Sequence, residues 1–167
     1  MARISLIKPN DIANGNGITV SVWFQGCPFK CKGCHNPQTW NFDSGEEFTQ
    51  EHIDKILSYM NKDKVNRNLS VLGGESLCPQ NVDGTLELCR QFKEKYPNKI
   101  IYLWTGYELN EFNNIQMEVL KYIDVLIDGR FEIEKKDLSL KFRGSSNQRV
   151  IDVNKSLKEG KVILFEG

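Results

Sequence analysis

The chain has 167 residues, 40% hydrophobic and 26% charged, with 22 basic and 22 acidic side chains. This is an ordinary globular composition, so we expect one domain over residues 1–167. The zero net charge and the lack of a long basic run argue against a nucleic-acid-binding surface. Apolar stretches such as residues 100–104 are too short for a membrane helix, and the N-terminus has no apolar signal region. We therefore expect a cytoplasmic protein with no membrane partner.

Short β-rich runs alternate with amphipathic helical runs along the chain. Strands are predicted at residues 3–8, 18–24, 69–72, 100–104, 123–127 and 162–165. Helices are predicted at residues 49–61, 81–96 and 109–122. Strand–helix alternation at this spacing predicts βαβ units and a mostly parallel sheet. There are too few units for an eight-stranded barrel, so we expect an α/β fold with an open, partial (β/α) barrel.

Each of four predicted strands ends in a glycine or a polar residue, namely Gly26, Gly73, Thr105 and Asp128. In parallel α/β architectures, sites are built at the carboxyl edge of the sheet. We therefore expect the four loops after these strands to face one another at one rim.

Three of the five cysteines, Cys27, Cys31 and Cys34, lie within eight residues with the spacing C-x3-C-x2-C. Crowded cysteines in a cytosolic chain indicate metal binding or catalysis rather than disulfides. Iron–sulfur cubanes are normally held by four thiolates. A loop that supplies three leaves one iron open to an external ligand, which favours a catalytic [4Fe–4S] cluster.

The alternative from spacing alone is a structural zinc site, with His35 or Cys78 as the fourth ligand. Zinc ligands usually come as two separated pairs, and this sequence has no second pair. The spacing therefore favours the open cluster over zinc without excluding zinc. Cys89 falls on the inner face of a predicted helix, which is typical of a core residue.

The cysteine loop resembles the signature of the radical S-adenosylmethionine (SAM) superfamily. Gly73-Gly74-Glu75 resembles that superfamily's strand-end glycine motif, which contacts the methionyl amino group of SAM. Glycines let a backbone approach a ligand closely, and a carboxylate can accept a hydrogen bond from an ammonium group. The resemblance implies a partial barrel of the radical SAM type, with SAM and a [4Fe–4S] cluster as cofactors.

The chain more closely resembles the activating proteins of anaerobic (class III) ribonucleoside-triphosphate reductases. The matching segments are residues 14–17, 27–40, 73–77, 104–107, 124–131 and 143–148. The resemblance implies an oxidoreductase in which a reduced cluster donates one electron to SAM. The resulting 5′-deoxyadenosyl radical removes a hydrogen atom from a glycine of the reductase large subunit, which becomes a glycyl-radical protein. A small electron carrier such as flavodoxin is the implied donor.

The resemblance also implies roles for individual residues. Cys27, Cys31 and Cys34 would bind three irons, and Asp128 would orient the ribose or a neighbouring group. Arg130 would face the SAM carboxylate, which suits a guanidinium. The remaining implied SAM contacts are Gly33, Cys34, His35 and Asn36 at the adenine end, with Gly73, Gly74 and Glu75 at the methionyl end.

Purely structural roles remain possible for several of these residues. Asp128 and Gly129 could form a plain turn, Arg130 could be a surface charge, and Trp104 is expected in the core. Residues 143–148 are either a solvated loop or part of the SAM pocket or reductase interface. Cys78 is expected to be a bystander, and the extension at residues 154–167 has no assigned role.

Two other functions compete with this interpretation. One is an activase for another glycyl-radical enzyme, such as pyruvate formate-lyase. The other is a non-enzymatic module, stabilised by zinc or used for electron transfer.

Overall fold

The computed structural model describes all 167 residues. Its strands are β1 (Arg3–Asp11), β2 (Thr19–Phe24), β3 (Glu46–Glu47), β4 (Asn68–Gly73), β5 (Ile101–Trp104), β6 (Val125–Asp128) and β7 (Arg149–Asp152). They form one seven-stranded sheet in the order β3-β1-β2-β4-β5-β6-β7.

The middle of this sheet is parallel and its flanks are antiparallel. Strands β2, β4, β5 and β6 pair in parallel, whereas β1, β3 and β7 pair antiparallel to their neighbours. Strands β3 and β7 form the two free edges, so the sheet is not closed. The predicted α/β class and parallel middle are confirmed.

The helices are α1 (Gln50–Tyr59), α2 (Val82–Lys95), α3 (Asn114–Leu120) and α4 (Val153–Glu159). Helices α1 and α2 agree with the predictions, and the amide of Thr49 before α1 donates to His52 Nδ1 at 3.0 Å. The third predicted helix is shorter than expected, because the Asn113 side chain accepts from the amide of Gln116 at 2.9 Å and starts α3 there. None of the four helices has the length and apolar character required to cross a bilayer.

Side chains along each central strand alternate between two different environments. The helix-covered face carries the main core, which includes Val20, Val22, Phe24, Leu69, Val71, Ile101, Leu103 and Leu126. On the opposite face, strands β5 and β6 carry the apolar residues Tyr102, Trp104, Val125 and Ile127. Strands β2 and β4 carry the buried polar residues Thr19, Ser21 and Ser70 there. This period-two pattern leaves the second face free of helices, and the candidate site is built there.

The chain after residue 148 differs from the prediction. Strand β7 and helix α4 were not predicted, because each is short; β7 follows a loop rich in turn residues, and α4 follows β7 directly. The strand predicted at residues 162–165 is only an isolated bridge between Ile151 and Leu164.

Candidate functional site

The carboxyl ends of the four parallel strands open into one cavity of about 500 Å³. The loops after β2, β4, β5 and β6 all contribute to its lining, which confirms the predicted convergence at one rim. The lining from these loops includes Cys27, Cys31, Cys34, Gly73, Gly74, Glu75, Thr105, Gly106, Gly129 and Arg130.

The cysteine loop is closed at its base by backbone hydrogen bonds. The amide of Gly26 donates to the carbonyl of Thr39 at 2.6 Å, and that of Cys27 donates to Trp40 at 3.2 Å. Gly26 has φ +104° and its α-carbon faces the ring of Phe42, so a side chain there would collide with the ring. The loop is thereby held over the end of β2, with Cys27 buried and the other two thiols half-buried.

Each of the three thiols faces at least one backbone N–H group. Burial raises the pKa of the Cys27 thiol, although the amides of Phe29 and Lys30 donate to it and act in the opposite direction. Burial likewise raises the pKa of Cys31, against a hydrogen bond from the amide of Phe131.

The third thiol, Cys34 Sγ, accepts from the amide of Asn36 at 3.4 Å. Donors aimed at sulfur stabilise the thiolate form that a metal cluster requires. The donor set therefore fits a cluster held by three thiolates.

Cys78 lies outside this arrangement. It is fully buried, and its thiol donates to the carbonyl of Glu75 at 3.1 Å. Burial raises its pKa to about 11. No group of three or more His, Cys, Asp or Glu side chains is arranged to hold a single metal ion. His35, the other possible zinc ligand, lines the cavity.

The Gly73-Gly74 turn packs its backbone directly against the cysteine loop. Gly73 has φ +128°, which favours glycine. A β-carbon on Gly74 would lie 2.5 Å from the carbonyl oxygen of Gly26 and 2.8 Å from that of Thr39. Only glycine fits this close approach.

Glu75 connects the loops after β4 and β5. Its side chain is 1% exposed and accepts from the Gly106 amide and Thr105 Oγ1, each at 2.7 Å, and from the Leu77 amide at 3.0 Å. Burial raises its pKa to about 7, in spite of these hydrogen bonds. Glu75 lines the cavity, but its carboxylate already accepts these three hydrogen bonds from the protein, out of about four that it can accept.

Arg130 brings an unpaired positive charge into the cavity. Its guanidinium lies 4.3 Å from the centroid of the Phe29 ring and forms no ion pair. The Phe29 ring packs edge-on against Tyr107 at 4.8 Å. The ring also faces Gly106, where a β-carbon would lie 2.5 Å from it. A cation held in this way suits an anionic group of a ligand.

Asp128 lies outside the cavity lining. Its carboxylate, 1% exposed, accepts from Arg149 Nε at 3.0 Å and Nη2 at 2.5 Å, and from the amide of Leu109 at 2.9 Å. The structure therefore gives Asp128 a partner within the protein rather than a place beside Arg130.

The predicted adenine-end residues divide into two groups. His35 and Asn36 line the cavity, and the His35 ring lies 5.2 Å from that of Phe131. Gly33 does not line it. Instead Gly33 has φ +77°, and a β-carbon there would lie 2.6 Å from Ile133 Cδ1. Its role in this structure is to let the loop pack against Ile133.

Sequence reasoning missed several lining residues. Trp104, expected in the core, lines the cavity and donates through Nε1 to the carbonyl of Phe142 at 2.6 Å. The other unpredicted lining residues include Ala13, Asn14, Trp23, Leu72, Leu140 and Phe142. Arg143, Gly144 and Gln148 also line the cavity. The resemblance of residues 143–148 to the activating proteins was the only feature of the sequence that pointed to them.

Comparison with known proteins agrees with this geometry. A family model described as "4Fe-4S single cluster domain" matches residues 13–151. A protein of Salmonella typhi is 44% identical over 143 residues, covering 85% of this chain and 93% of the relative. One of Escherichia coli K12 is 43% identical over the same shares. One of enterobacteria phage T4 is 40% identical over 146 residues, 86% of this chain and 90% of the relative.

All three relatives are named anaerobic ribonucleoside-triphosphate reductase-activating protein. Each matches most of both chains, and the family-model match spans the three cysteines and the loops that face them. The chain therefore belongs to the family of anaerobic ribonucleoside-triphosphate reductase-activating proteins and carries its 4Fe-4S domain.

Proposed function

We propose that this chain is a radical SAM activase that generates the glycyl radical of an anaerobic ribonucleoside-triphosphate reductase. The observation that carries the proposal is the shared cavity. Three thiols, a glycine turn and an unpaired guanidinium line one space of about 500 Å³. That volume is within the usual range for a small-molecule site, about 300–1,000 Å³.

Cys27, Cys31 and Cys34 would hold the [4Fe–4S] cluster, and SAM would occupy the rest of the cavity. When bound, the two cofactors together supply a one-electron reduction that ends in removal of a hydrogen atom from a glycine of the partner. The surrounding loops exclude water from the reacting groups and orient SAM.

Residues of the chain would orient SAM as follows. Gly73 and Gly74 would offer backbone groups to the methionyl end, and Arg130 would neutralise the carboxylate of SAM. Glu75 would contribute its remaining acceptor position to the ammonium group while bracing the two loops. The adenine end would lie against His35 and Asn36, with Gly33 and Asp128 supporting the site from outside the cavity.

We extend the proposal to the whole chain. Residues 1–167 would form a single radical SAM domain, with the open sheet as a partial (β/α) barrel and residues 154–167 as a C-terminal extension. The partners would be the large subunit of the reductase and a small electron carrier such as flavodoxin. A cytoplasmic location agrees with five free cysteines.

The test is anaerobic purification and cluster reconstitution, followed by dithionite and SAM. We expect a brown protein that produces methionine and 5′-deoxyadenosine. With the reductase subunit, an electron paramagnetic resonance spectrum should show a glycyl doublet, which pyruvate formate-lyase should not give. A colourless, zinc-loaded protein that leaves SAM intact would contradict the proposal.

Two cysteine variants provide the matched control. Cys31→Ser should lose iron and SAM cleavage, whereas Cys78→Ser should keep both, because Cys78 does not line the cavity and its thiol donates to the carbonyl of Glu75. Equal loss of iron in the two variants would show that Cys78 belongs to the ligand set.

A further inference from the structure

We propose that the outer face of the cysteine loop, residues 28–36, is the docking surface for the electron carrier. On this surface Lys30 and Lys32 recognise an acidic, reduced one-electron carrier protein. The inference rests on the proposed function, because it requires a cluster held by the three cysteines of this loop.

The charge of the loop is the first observation. No Asp or Glu occurs between Asp11 and Asp43, so Lys30 and Lys32 are the only permanent charges in that long segment. Both lysines are exposed, and neither forms an ion pair. They flank Cys31 directly. Two unpaired cations therefore stand on the surface next to a candidate cluster ligand.

The backbone at Lys30 is the second observation. Lys30 has φ +49°, a conformation in which glycine or asparagine is more usual. The turn lies within the cysteine loop, where the amides of Phe29 and Lys30 donate to the Cys27 thiol. Packing does not require a lysine at this position, because its side chain is exposed. The positive charge of Lys30 is therefore the property that explains a lysine at this position.

Access to the cluster is the third observation. The inner side of the loop lines the cavity that SAM and the partner's glycine must share. The outer side is exposed at Pro28, Lys30 and Lys32, none of which lines the cavity. Since electron transfer requires close approach, a carrier has its shortest route to the thiols across this face.

Neighbouring charges do not cancel the two lysines. Gly33 packs against Ile133, which brings the segment Glu132–Lys136 to the side of the loop. Glu132 in that segment is paired with Lys135 at 3.5 Å. Its other two charges, Glu134 and Lys136, are of opposite sign, so the segment as a whole adds no net charge.

The reaction at this surface is the transfer of one electron and forms no bond. A reduced carrier loses one electron for each SAM cleaved and dissociates in its one-electron-oxidised form. Opposite charges raise association rates by about 10- to 1,000-fold, an effect that salt suppresses. The carrier-driven rate should therefore depend on the two lysines and on ionic strength.

The test compares Lys30→Glu/Lys32→Glu with Lys55→Glu/Lys158→Glu in anaerobically reconstituted protein. The control reverses two exposed lysines on α1 and α4, so both variants have the same net charge. SAM cleavage is driven either by reduced flavodoxin, as the acidic carrier, or by dithionite. Iron per chain, binding of flavodoxin and glycyl-radical formation on the reductase subunit are measured in parallel.

At low salt, we expect the flavodoxin-driven rate of the loop variant to fall at least about tenfold. High salt should remove most of the difference from wild type, and the dithionite-driven rate should not change. Lys30→Arg/Lys32→Arg should behave as wild type. If the reversed charges prevent cluster binding, the neutral pair Lys30→Asn/Lys32→Gln applies the same comparison, because asparagine tolerates the turn.

An unchanged flavodoxin-driven rate would overturn the inference, as would an equal loss in the control variant. A loss of glycyl-radical formation with dithionite would place the reductase, not the carrier, on the two lysines. Failure of wild-type protein to cleave SAM with dithionite would instead contradict the proposed function.

Discussion

Phe29 shows how a single side chain can connect two parts of the site. It lies between Cys27 and Cys31 in sequence, and its ring contacts both Gly106 and the guanidinium of Arg130. Arg130 has no carboxylate partner, so the aromatic ring is its main support. Phe29 therefore orients the cation that we place against the SAM carboxylate.

Replacing Phe29 with leucine should raise the KM for SAM by about two- to fivefold, the range of one cation–π contact at an exposed cation such as Arg130. Iron per chain should not change, because the three thiols and their N–H donors remain. Phe29→Tyr, which keeps the ring, should behave as wild type. Dithionite-driven SAM cleavage measures both effects, and an unchanged KM in Phe29→Leu would show that Arg130 orients itself without the ring.

Asp11 stabilises the turn that contains the cavity-lining residues Ala13 and Asn14. Its carboxylate accepts from Ser21 Oγ at 2.5 Å, Asn14 Nδ2 at 2.7 Å and the amide of Ala13 at 2.8 Å. Burial alone would raise its pKa, but these three donors outweigh burial and hold the pKa below its usual value. The ionised carboxylate is therefore the form that stabilises the fold.

Asp11→Asn should lower the free energy of unfolding at neutral pH by about 2 kcal/mol, as for hydrogen bonds to a charged group. A lowered folded-state pKa contributes stability above the unfolded value, near 3.9, and loses it as the pH falls through the folded value. The difference between wild type and variant should be constant from neutral pH to about pH 5 and then shrink below about pH 4. Urea unfolding across this range checks the sign, and a difference that grows on acidification would refute it.

At the scale of elements, the end of β6 is joined to β7 and to the segment before α3. Asp128 on β6 receives a two-pronged hydrogen bond from Arg149 on β7 and another from the amide of Leu109. The two strands pair antiparallel from Val125 to Asp128. This clamp sets the direction of the loop that carries Arg130.

Asp128→Asn should destabilise the protein by about 2 kcal/mol, somewhat less than a fully buried pair because Arg149 is partly exposed. The KM for SAM should change little in comparison, because the carboxylate does not line the cavity. Urea unfolding and SAM kinetics on the same preparations separate the two effects. A large rise in KM at unchanged stability would instead place Asp128 on SAM.

The C-terminal extension braces one wall of the cavity. The Phe165 ring lies 6.4 Å from that of Phe142, which lines the cavity. The amide of Phe165 donates to the carbonyl of Val150, and the amide of Asp152 donates to that of Ile163, each at 2.9 Å. The extension thus continues the edge of the sheet beyond β7.

Phe165→Ala should raise the KM for SAM about fivefold, if the aromatic contact is worth about 1 kcal/mol to the wall. Leu164→Ala is the control, because Leu164 is 58% exposed and is not among the residues packed in the cluster that contains Phe142 and Phe165. Both variants are compared by SAM kinetics and thermal unfolding. Equal effects at the two positions would mean that the extension acts only on overall stability.

At the scale of the whole molecule, one face of the sheet forms the core and the other forms the candidate site. Helices α1 to α3 cover one face and provide the main core. The other face carries the cavity, whose lining comes from loops far apart in sequence. A ligand in this cavity contacts several loops at once and should therefore stabilise the entire domain.

SAM at about one hundred times its Kd should add about 2.7 kcal/mol to the stability of the cluster-loaded protein. Arg130→Ala at the same SAM concentration should gain less, because it binds SAM more weakly. Anaerobic thermal unfolding with and without SAM checks both values. No shift in Tm in wild type would show that SAM does not bind the folded protein in this cavity.

Much of the chemistry was predictable because it depends on neighbours in sequence. The C-x3-C-x2-C spacing places three thiols in one loop, and Gly73-Gly74 follows a short apolar strand that could be identified from its residues alone. The alternation of strands and helices along the chain also predicted the parallel strands. Helix α4 and strand β7 escaped prediction because their stability comes from pairing with β6 and the extension, not from local propensity.

By itself, the sequence determined which chemical groups the protein brings to its site, because ligand spacing and glycine turns are local properties. Only the tertiary structure decided which of those groups hydrogen-bond within the protein and which face the cavity. It engaged Glu75 with Thr105 and Gly106, and it turned Asp128 toward Arg149 and away from the cavity. These contacts join residues about 20 to 30 positions apart, and buried carboxylates must find donors wherever the fold supplies them.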